Sequence, residues 1–296
     1  MRRVAIVGTG LIGASVGLAL KAKGFAGEVV GWDANAAELQ AARELGAIDS
    51  ALAGRDAVLE TDADVVVLAT PVLPILDWME RLAPVLGEDQ LVTDVGSTKR
   101  EIAALAAGLF NRPGRARFLP GHPMAGKESG GAALAEADLF RDAVWLFTPM
   151  GAEESAMEGS WRAAVAGFGA RVRDMDAARH DEVCAWVSHL PQMVATAMSA
   201  MLEDEFAADA AEKAAMQTSA FQDDLRAVGG RALREMTRLG ASPYSMWRDV
   251  AMTNTEAIAA TLAALEQRLA YVRENLRTPE LRDEFALANR FRAKRG

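Results

Sequence analysis

The stretch Arg2-Arg3-Val4-Ala5-Ile6-Val7-Gly8-Thr9-Gly10-Leu11-Ile12-Gly13 decides the fold. Val4 to Val7 is an apolar, β-branched run that suits a buried strand. Gly8, Gly10 and Gly13 follow at G-x-G-x-x-G spacing, and Ala14 to Lys23 has the composition of a helix. A second strand-like run, Glu28 to Trp32, ends at Asp33, twenty residues after Gly13. Each part has a physical task in binding a dinucleotide. Gly8 permits the tight turn, Gly10 lets a pyrophosphate approach the backbone, and Gly13 lets the helix pack close to the strand. Thr9, Leu11 and Ile12 complete the cofactor loop. The helix N-terminus offers N–H groups and a positive dipole end to the phosphates. Asp33 can accept hydrogen bonds from the adenosine ribose hydroxyls. Its charge repels a 2′-phosphate, and Ala34 and Asn35 supply no compensating cation, so the reading is NAD rather than NADP. A packing turn in some other α/β protein would leave Asp33 unexplained.

Working outward, the 296 residues are about half hydrophobic, which suits a large core and two domains. No stretch reaches the ~18 apolar residues of a membrane span, and the N-terminus lacks a secretory pattern. Cys184 is the only cysteine. That excludes an internal disulfide and a multi-cysteine metal site, and Cys184 reads as a core thiol. No metal is expected. The net charge of −9 argues against nucleic acid as a partner. The basic tail Arg290-Phe291-Arg292-Ala293-Lys294-Arg295 reads as a solvated helix end. A soluble cytoplasmic protein is expected.

Strand-like and helix-like runs alternate through the first half, which predicts a doubly wound parallel sheet of Rossmann type. Asp64 to Ala69, Gln90 to Asp94, Arg117 to Pro120 and Ala143 to Thr148 read as strands, and Ala170 to Met175 as an edge strand. Ser97 or Thr98 could cap the helix that runs to about Leu109. After Asp176 the strand signal gives way to long Ala-, Leu- and Met-rich helical stretches. The expected division is a dinucleotide-binding domain over 1–174 and an all-α domain over 175–296.

Ligands in doubly wound sheets bind beyond the carboxyl ends of the strands. Besides the glycine loop, Thr70-Pro71, Gly96-Ser97-Thr98-Lys99 and Gly121-His122-Pro123-Met124-Ala125-Gly126-Lys127-Glu128 belong there. An imidazole at His122 can accept a hydroxyl proton as hydride leaves the same carbon. Alternatively, His122 only caps backbone groups. In the helical half, Ser188-His189-Leu190-Pro191-Gln192 places polar groups in an apolar helix, and Thr237-Arg238 and Trp247-Arg248-Asp249 follow. An arginine in such a setting binds a carboxylate by a two-pronged contact or forms a surface ion pair.

Together these segments resemble the prephenate dehydrogenase family, which includes the arogenate and cyclohexadienyl dehydrogenases. The resemblance spans essentially the whole chain. It rests on Gly8 to Gly13, Asp94 to Lys99, Gly121 to Gly126, His180-Asp181, Ser188 to Pro191, Met236-Thr237-Arg238 and Met246 to Asp249. It implies a nucleotide domain, a helical domain forming a homodimer, and a site between them. It implies NAD-dependent oxidative decarboxylation of a cyclohexadienol, prephenate or arogenate, in the tyrosine branch of aromatic amino-acid synthesis. By the same resemblance, His122 is the catalytic histidine and Ser97 holds the ring hydroxyl and orients His122. Arg238 binds a substrate carboxylate, and Glu128 sits near the site mouth. His189 and Trp247 shape the pocket, and His180 reads as structural. Gln192 stands where the family often has histidine and is expected to face the substrate side chain.

Other readings remain at this stage. A β-hydroxyacid dehydrogenase or imine reductase would share the two-domain plan. The hydroxyacid enzymes need a helical lysine, and Lys213 lies in an Ala- and Glu-rich setting that suggests a solvated face. A nicotinamide-sensing protein without turnover is the alternative from another class.

Overall fold

The computed structural model describes residues 1–151, 153–207, 224 and 227–294. Lys213 and Arg295 lie outside the described residues. The first strand, β1 (Arg3–Val7), is central because its side chains are apolar on both sides. Val4 and Ile6 join one buried cluster, and Ala5 and Val7 join another on the opposite face. Such two-faced burial suits a parallel sheet covered by helices.

The chain alternates β1, α1 (Leu11–Ala22), β2 (Glu28–Trp32), α2 (Ala36–Glu44), β3 (Ser50–Ala51), α3 (Arg55–Leu59) and β4 (Val65–Leu68). It continues with α4 (Val72–Leu82), β5 (Leu91–Asp94), α5 (Arg100–Leu109) and β6 (Arg117–Leu119). These six strands form one parallel sheet in the order β3-β2-β1-β4-β5-β6. The order reverses at β1/β4, so the loops after those strands diverge and leave a crevice at the carboxyl edge. The two-residue β3 and short α3 carry too little periodicity to be read from sequence.

Three later strands form a separate sheet. Here β7 (Gly121–Pro123) pairs antiparallel with β8 (Val144–Phe147), and β8 pairs parallel with β9 (Arg171–Asp174). The expected edge strand near Ala170 therefore belongs to this second sheet. Pro120 separates β6 from β7 and has no N–H for the ladder to β5. Helix α6 (Ala156–Gly167) precedes β9 and starts at a capping box formed by Ser155 and Glu158.

The helical part comprises α7 (Ala177–Cys184), α8 (Leu190–Ala207), α9 (Arg231–Thr237), α10 (Tyr244–Thr253), α11 (Thr255–Glu274) and α12 (Glu280–Ala293). One π-helical turn, Ala185–His189, joins α7 to α8. Pro191 follows it; lacking an N–H and crowding the carbonyl of Val187, it accounts for the wider turn.

This part docks on the helix starts at the sheet's carboxyl edge. The Asp181 carboxylate accepts from the backbone N–H of Lys99 at 2.7 Å and of Arg100 at 2.9 Å. The Asp249 carboxylate accepts from Leu73 N–H at the start of α4, at 3.1 Å. The expected capping of α5 by Ser97 or Thr98 is thus corrected. The Thr98 hydroxyl bonds that of Thr253 at 2.7 Å, and a carboxylate from a distant helix meets the positive end of α5 instead.

Gly17, one turn after Gly13 in α1, faces the chain before β3. A Cβ there would lie 2.1 Å from the Ala47 carbonyl oxygen. Alanine would gain about 1 kcal/mol in helix propensity. The clash is with backbone and should cost roughly 1–3 kcal/mol. Gly17→Ala should therefore lower the denaturant midpoint, and a raised midpoint would show that α1 shifts without penalty.

Candidate active site

A cavity of about 580 Å³ opens at the sheet's crevice. Gly10, Leu11, Ile12, Thr70 and Pro71 line it from the sheet edge. Ser97 enters from the loop after β5, His122 from β7 and Glu128 from the loop after it, and Gln192, Arg238 and Trp247 from the helical part.

The glycine loop has the geometry that its spacing predicts. Gly8 has φ +94°, and a Cβ on it would lie 2.6 Å from the Ala69 carbonyl oxygen. A Cβ on Gly13 would lie 1.9 Å from the Gly8 carbonyl oxygen. A Cβ on Gly10 would meet nothing within 4 Å. Gly10 gives α1 no side-chain cap, so the first amides of that helix are left for an anion. Asp33 is fixed at the end of β2, where it accepts from Thr9 N–H at 2.7 Å and Asn35 N–H at 2.8 Å. Open space over Gly10, uncapped amides and a nearby carboxylate fit a dinucleotide.

Beside this loop lies a buried chain of polar groups. His122 Nδ1 is 2.9 Å from His180 Nε2, and His180 Nδ1 is 2.8 Å from Asp181 Oδ1. The Cys184 sulfur lies 3.6 Å from His180 Nε2 and 4.0 Å from His122 Nδ1. Asn254 Nδ2 bonds the Asp181 carbonyl at 2.9 Å and lies 3.2 Å from His189 Nδ1. The chain has three histidines, and all three meet here. Sequence reasoning missed this chain and assigned His180 a structural part. The dyad His180-Asp181 was visible, but nothing local indicates that it reaches residue 122.

Lys99 organises the loop around Ser97. Its buried ammonium donates to Asp94 Oδ2 at 2.6 Å and to the carbonyls of Gly96 at 2.7 Å and Thr98 at 3.0 Å. The same carboxylate accepts from the N–H of Gly96 at 2.8 Å and of Gly121 at 3.1 Å. Asp94 thereby joins the Ser97 loop to the strand that carries His122.

Burial is the dominant electrostatic effect. It pulls His122 well below the ordinary histidine value, and the neighbouring His180, Lys99 and His189 act in the same direction. Burial also lowers His180, although Asp181 opposes the shift. His189 is pulled down to about 4 by burial, against the pull of Asp181. The Cys184 thiol is pushed up to about 12, again mainly by burial. Burial pushes the Asp94 carboxyl up, against the opposing charge of Lys99. All three imidazoles are therefore neutral at neutral pH, and the thiol keeps its proton.

The remaining candidates divide. Arg238 is paired with Glu128 at the cavity, and both side chains are part exposed. Trp247 packs edge-to-face on His189, with centroids 5.9 Å apart. Among the described residues, Trp247 Nε1 has no hydrogen-bond partner. His189 Nε2 also lacks a well-aligned one, although the Ser97 carbonyl lies close enough to favour the protonated ring. Two expectations need correction. The hydrogen bond that the His122 ring makes is with His180, not with Ser97. The Gln192 amide lines the cavity but is engaged in helix packing. It donates to Thr196 at 3.1 Å and to the Leu239 carbonyl at 2.7 Å, and it accepts from Ser242 at 3.1 Å. The sequence marked the position but could not show that neighbours from residues 239 and 242 would saturate it.

Comparison with known proteins agrees with this architecture. Residues 16–173 match the family model described as prephenate dehydrogenase, nucleotide-binding domain. Residues 176–288 match prephenate dehydrogenase, dimerization domain. A prephenate dehydrogenase of Lactococcus lactis subsp. cremoris is 31% identical over 257 residues, 86% of this chain and 66% of that protein. The chain thus spans just under two thirds of the length of the first curated relatives it matches. The A. aeolicus prephenate dehydrogenase, solved with hydroxyphenyl propionate and NAD+, has 27% identity and a TM-score of 0.84. That match covers 100% of this chain and 97% of the other. Synechocystis arogenate dehydrogenase has 28% identity and a TM-score of 0.75, with coverage of 99% and 100%. With both of its parts matched in order by that family's models, the chain belongs to the prephenate dehydrogenase family.

Proposed function

We propose that the protein is an NAD-dependent dehydrogenase that oxidatively decarboxylates prephenate, and also arogenate, in tyrosine biosynthesis. The observation that carries this reading is a neutral imidazole, His122, at a cavity that the dinucleotide loop also lines. The products are 4-hydroxyphenylpyruvate and tyrosine respectively. The nucleotide part is taken as 1–174 and the helical part as 175–296.

NAD, held by residues Gly8 to Gly13 with Asp33 at the ribose and Thr70 and Pro71 alongside, supplies the hydride acceptor. His122 takes the proton of the ring hydroxyl as hydride leaves the carbinol carbon. Ser97, on the same wall, holds that hydroxyl. Arg238 binds a substrate carboxylate by a two-pronged contact, in exchange for Glu128 at the cavity mouth. Trp247, backed by His189, forms an apolar wall that keeps water from the ring. The ring carboxylate departs as carbon dioxide, and aromatisation supplies the driving force.

The protein is further read as a cytoplasmic homodimer. Support for the dimer comes from exposed apolar side chains on the helical part, including Trp186, Met252, Leu269, Phe285 and Phe291. No described helix is long and apolar enough to cross a membrane.

Incubation with prephenate or arogenate and NAD or NADP, followed by the absorbance of reduced cofactor, tests the reading. Reduction of NAD in preference to NADP is expected. Silence with both substrates and both cofactors would overturn the function, and a preference for NADP would remove Asp33 from its role.

His122→Asn should lower turnover by about 10²–10⁴ with little change in the KM for NAD. In the unaltered enzyme the acting form is unprotonated and its pKa lies well below 6.5. Turnover should therefore stay level as pH falls to 6.5 and decline only in more acidic solution. A half-point at or above pH 6.5 would contradict the burial of His122.

Gln192→Ala removes a saturated buried amide and leaves the Leu239 carbonyl and the Ser242 hydroxyl without their partner. Stability should fall by roughly 1–3 kcal/mol, read from the denaturant midpoint. The ratio of the two substrates' kcat/KM values should stay put, and a changed ratio would return Gln192 to the substrate side chain.

A further inference from the structure

The buried chain of histidines has a direction that hydrogen-bond chemistry settles. Asp181 anchors it. Its Oδ1 accepts from Lys99 N–H and its Oδ2 from Arg100 N–H, so the carboxylate is an anionic acceptor on both oxygens. Burial opposes that charge, but the three N–H donors outweigh it and hold the carboxyl below its ordinary value. His180 Nδ1 must then be the protonated nitrogen, because a carboxylate cannot donate. A neutral His180 consequently presents a bare Nε2, which accepts the Nδ1–H of His122 at 2.9 Å. His122 is left with its lone pair on Nε2, which has no hydrogen-bond partner among the described residues. The Cys184 thiol, neutral at a pKa of about 12, is a weak donor to the same bare His180 nitrogen and does not compete with His122 for it. Of the other charged and titratable groups nearby, Lys99 is paired with Asp94. His189 Nδ1 faces the Asn254 amide, which makes it the acceptor and leaves its proton on Nε2.

We infer that His180, clamped by Asp181, is a positioning residue that fixes His122 in the Nδ1–H tautomer and presents Nε2 to the substrate hydroxyl. It also receives the displaced proton. As the hydroxyl proton adds to His122 Nε2, the Nδ1 proton passes to His180 Nε2. The resulting positive charge rests on the ring bonded to Asp181 rather than on the one beside the substrate. As carbon dioxide departs, its bonding electrons pass into the ring and leave the ring oxygen as a phenolate. That oxygen takes the proton back from His122 Nε2, the Nδ1 proton returns from His180, and the starting tautomers are restored with the phenol product. Burial disfavours a proton on both rings, and Asp181 opposes the shift at His180, whereas His122 has no such counter-charge and lies well below the ordinary value.

The part in turnover rests on the reading of His122 as the base, whereas the tautomers do not. With three histidines in the chain, long-range 15N–1H NMR of histidine-labelled protein resolves them. His122→Asn, His180→Gln and His189→Asn assign the signals. At neutral pH the unaltered protein should show Nδ1–H on His122 and His180, and Nε2–H on His189. Nε2–H on His122 overturns the inference; should the variants fail to fold, more than one Nε2–H tautomer among the three histidines of the unaltered protein overturns it too. These tautomers combined with no turnover of either substrate would instead count against the proposed function alone. Kinetics give the second readout. His180→Phe should lower kcat by about 10²-fold, with the KM for NAD unchanged. His180→Gln should recover part of the loss, because its amide oxygen can accept from His122 Nδ1–H. Equal kcat values for the two variants would overturn the positioning role.

Discussion

The carboxylate of Asp181 is the contact on which the rest of the site depends. It lies wholly buried, where an unpaired charge would be costly. Two backbone amides at the start of α5 and one imidazole N–H compensate it. Hydrogen bonds to charged groups contribute roughly 1.5–3 kcal/mol each, so this side chain ties the helical part to the sheet-bearing part. The same oxygen atoms fix the direction of the histidine chain. One residue therefore couples the docking of two parts of the fold to the protonation state of the candidate base.

The docking also explains why the cavity lies where it does. Parallel sheets leave a crevice where the strand order reverses, here between β1 and β4. The helices that follow the strands direct their positive ends toward that edge. Two are met by carboxylates of the helical part, Asp249 at α4 and Asp181 at α5. The first, α1, has no side-chain cap, and its amides suit the negative charge of a pyrophosphate. A shared electrostatic rule thus serves interdomain packing at two helix starts and ligand binding at the third.

Lys99 and Asp94 show a second use of buried charge. Their ion pair is fully enclosed, and such pairs add little net stability once desolvation is counted. Here the two side chains also bind the backbone at Gly96, Thr98 and Gly121. Their effect is geometric, because they set the Ser97 loop against the strand bearing His122. Ser97 and His122 both line the cavity, so the relative placement of the candidate hydroxyl and base follows from this pair.

The dinucleotide unit was legible in the sequence because its parts lie close along the chain. The strand, three glycines, helix, second strand and Asp33 occupy about thirty residues, and local sterics and periodicity determine each of them. His122 was legible as a histidine confined between Gly121 and Pro123 at a strand end. The partners that set its chemistry were not. His180 is 58 positions away, and Asp181 caps a helix start 81 and 82 positions away. Gln192 shows the same limit, because residues 239 and 242 saturate its amide. The second sheet is a further case, since strand spacing alone does not say which ladder a strand joins. Short-range spacing determined where backbone and cofactor meet. Hydrogen-bond direction and desolvation depend on which distant groups are packed together, and those were decided only by the tertiary structure.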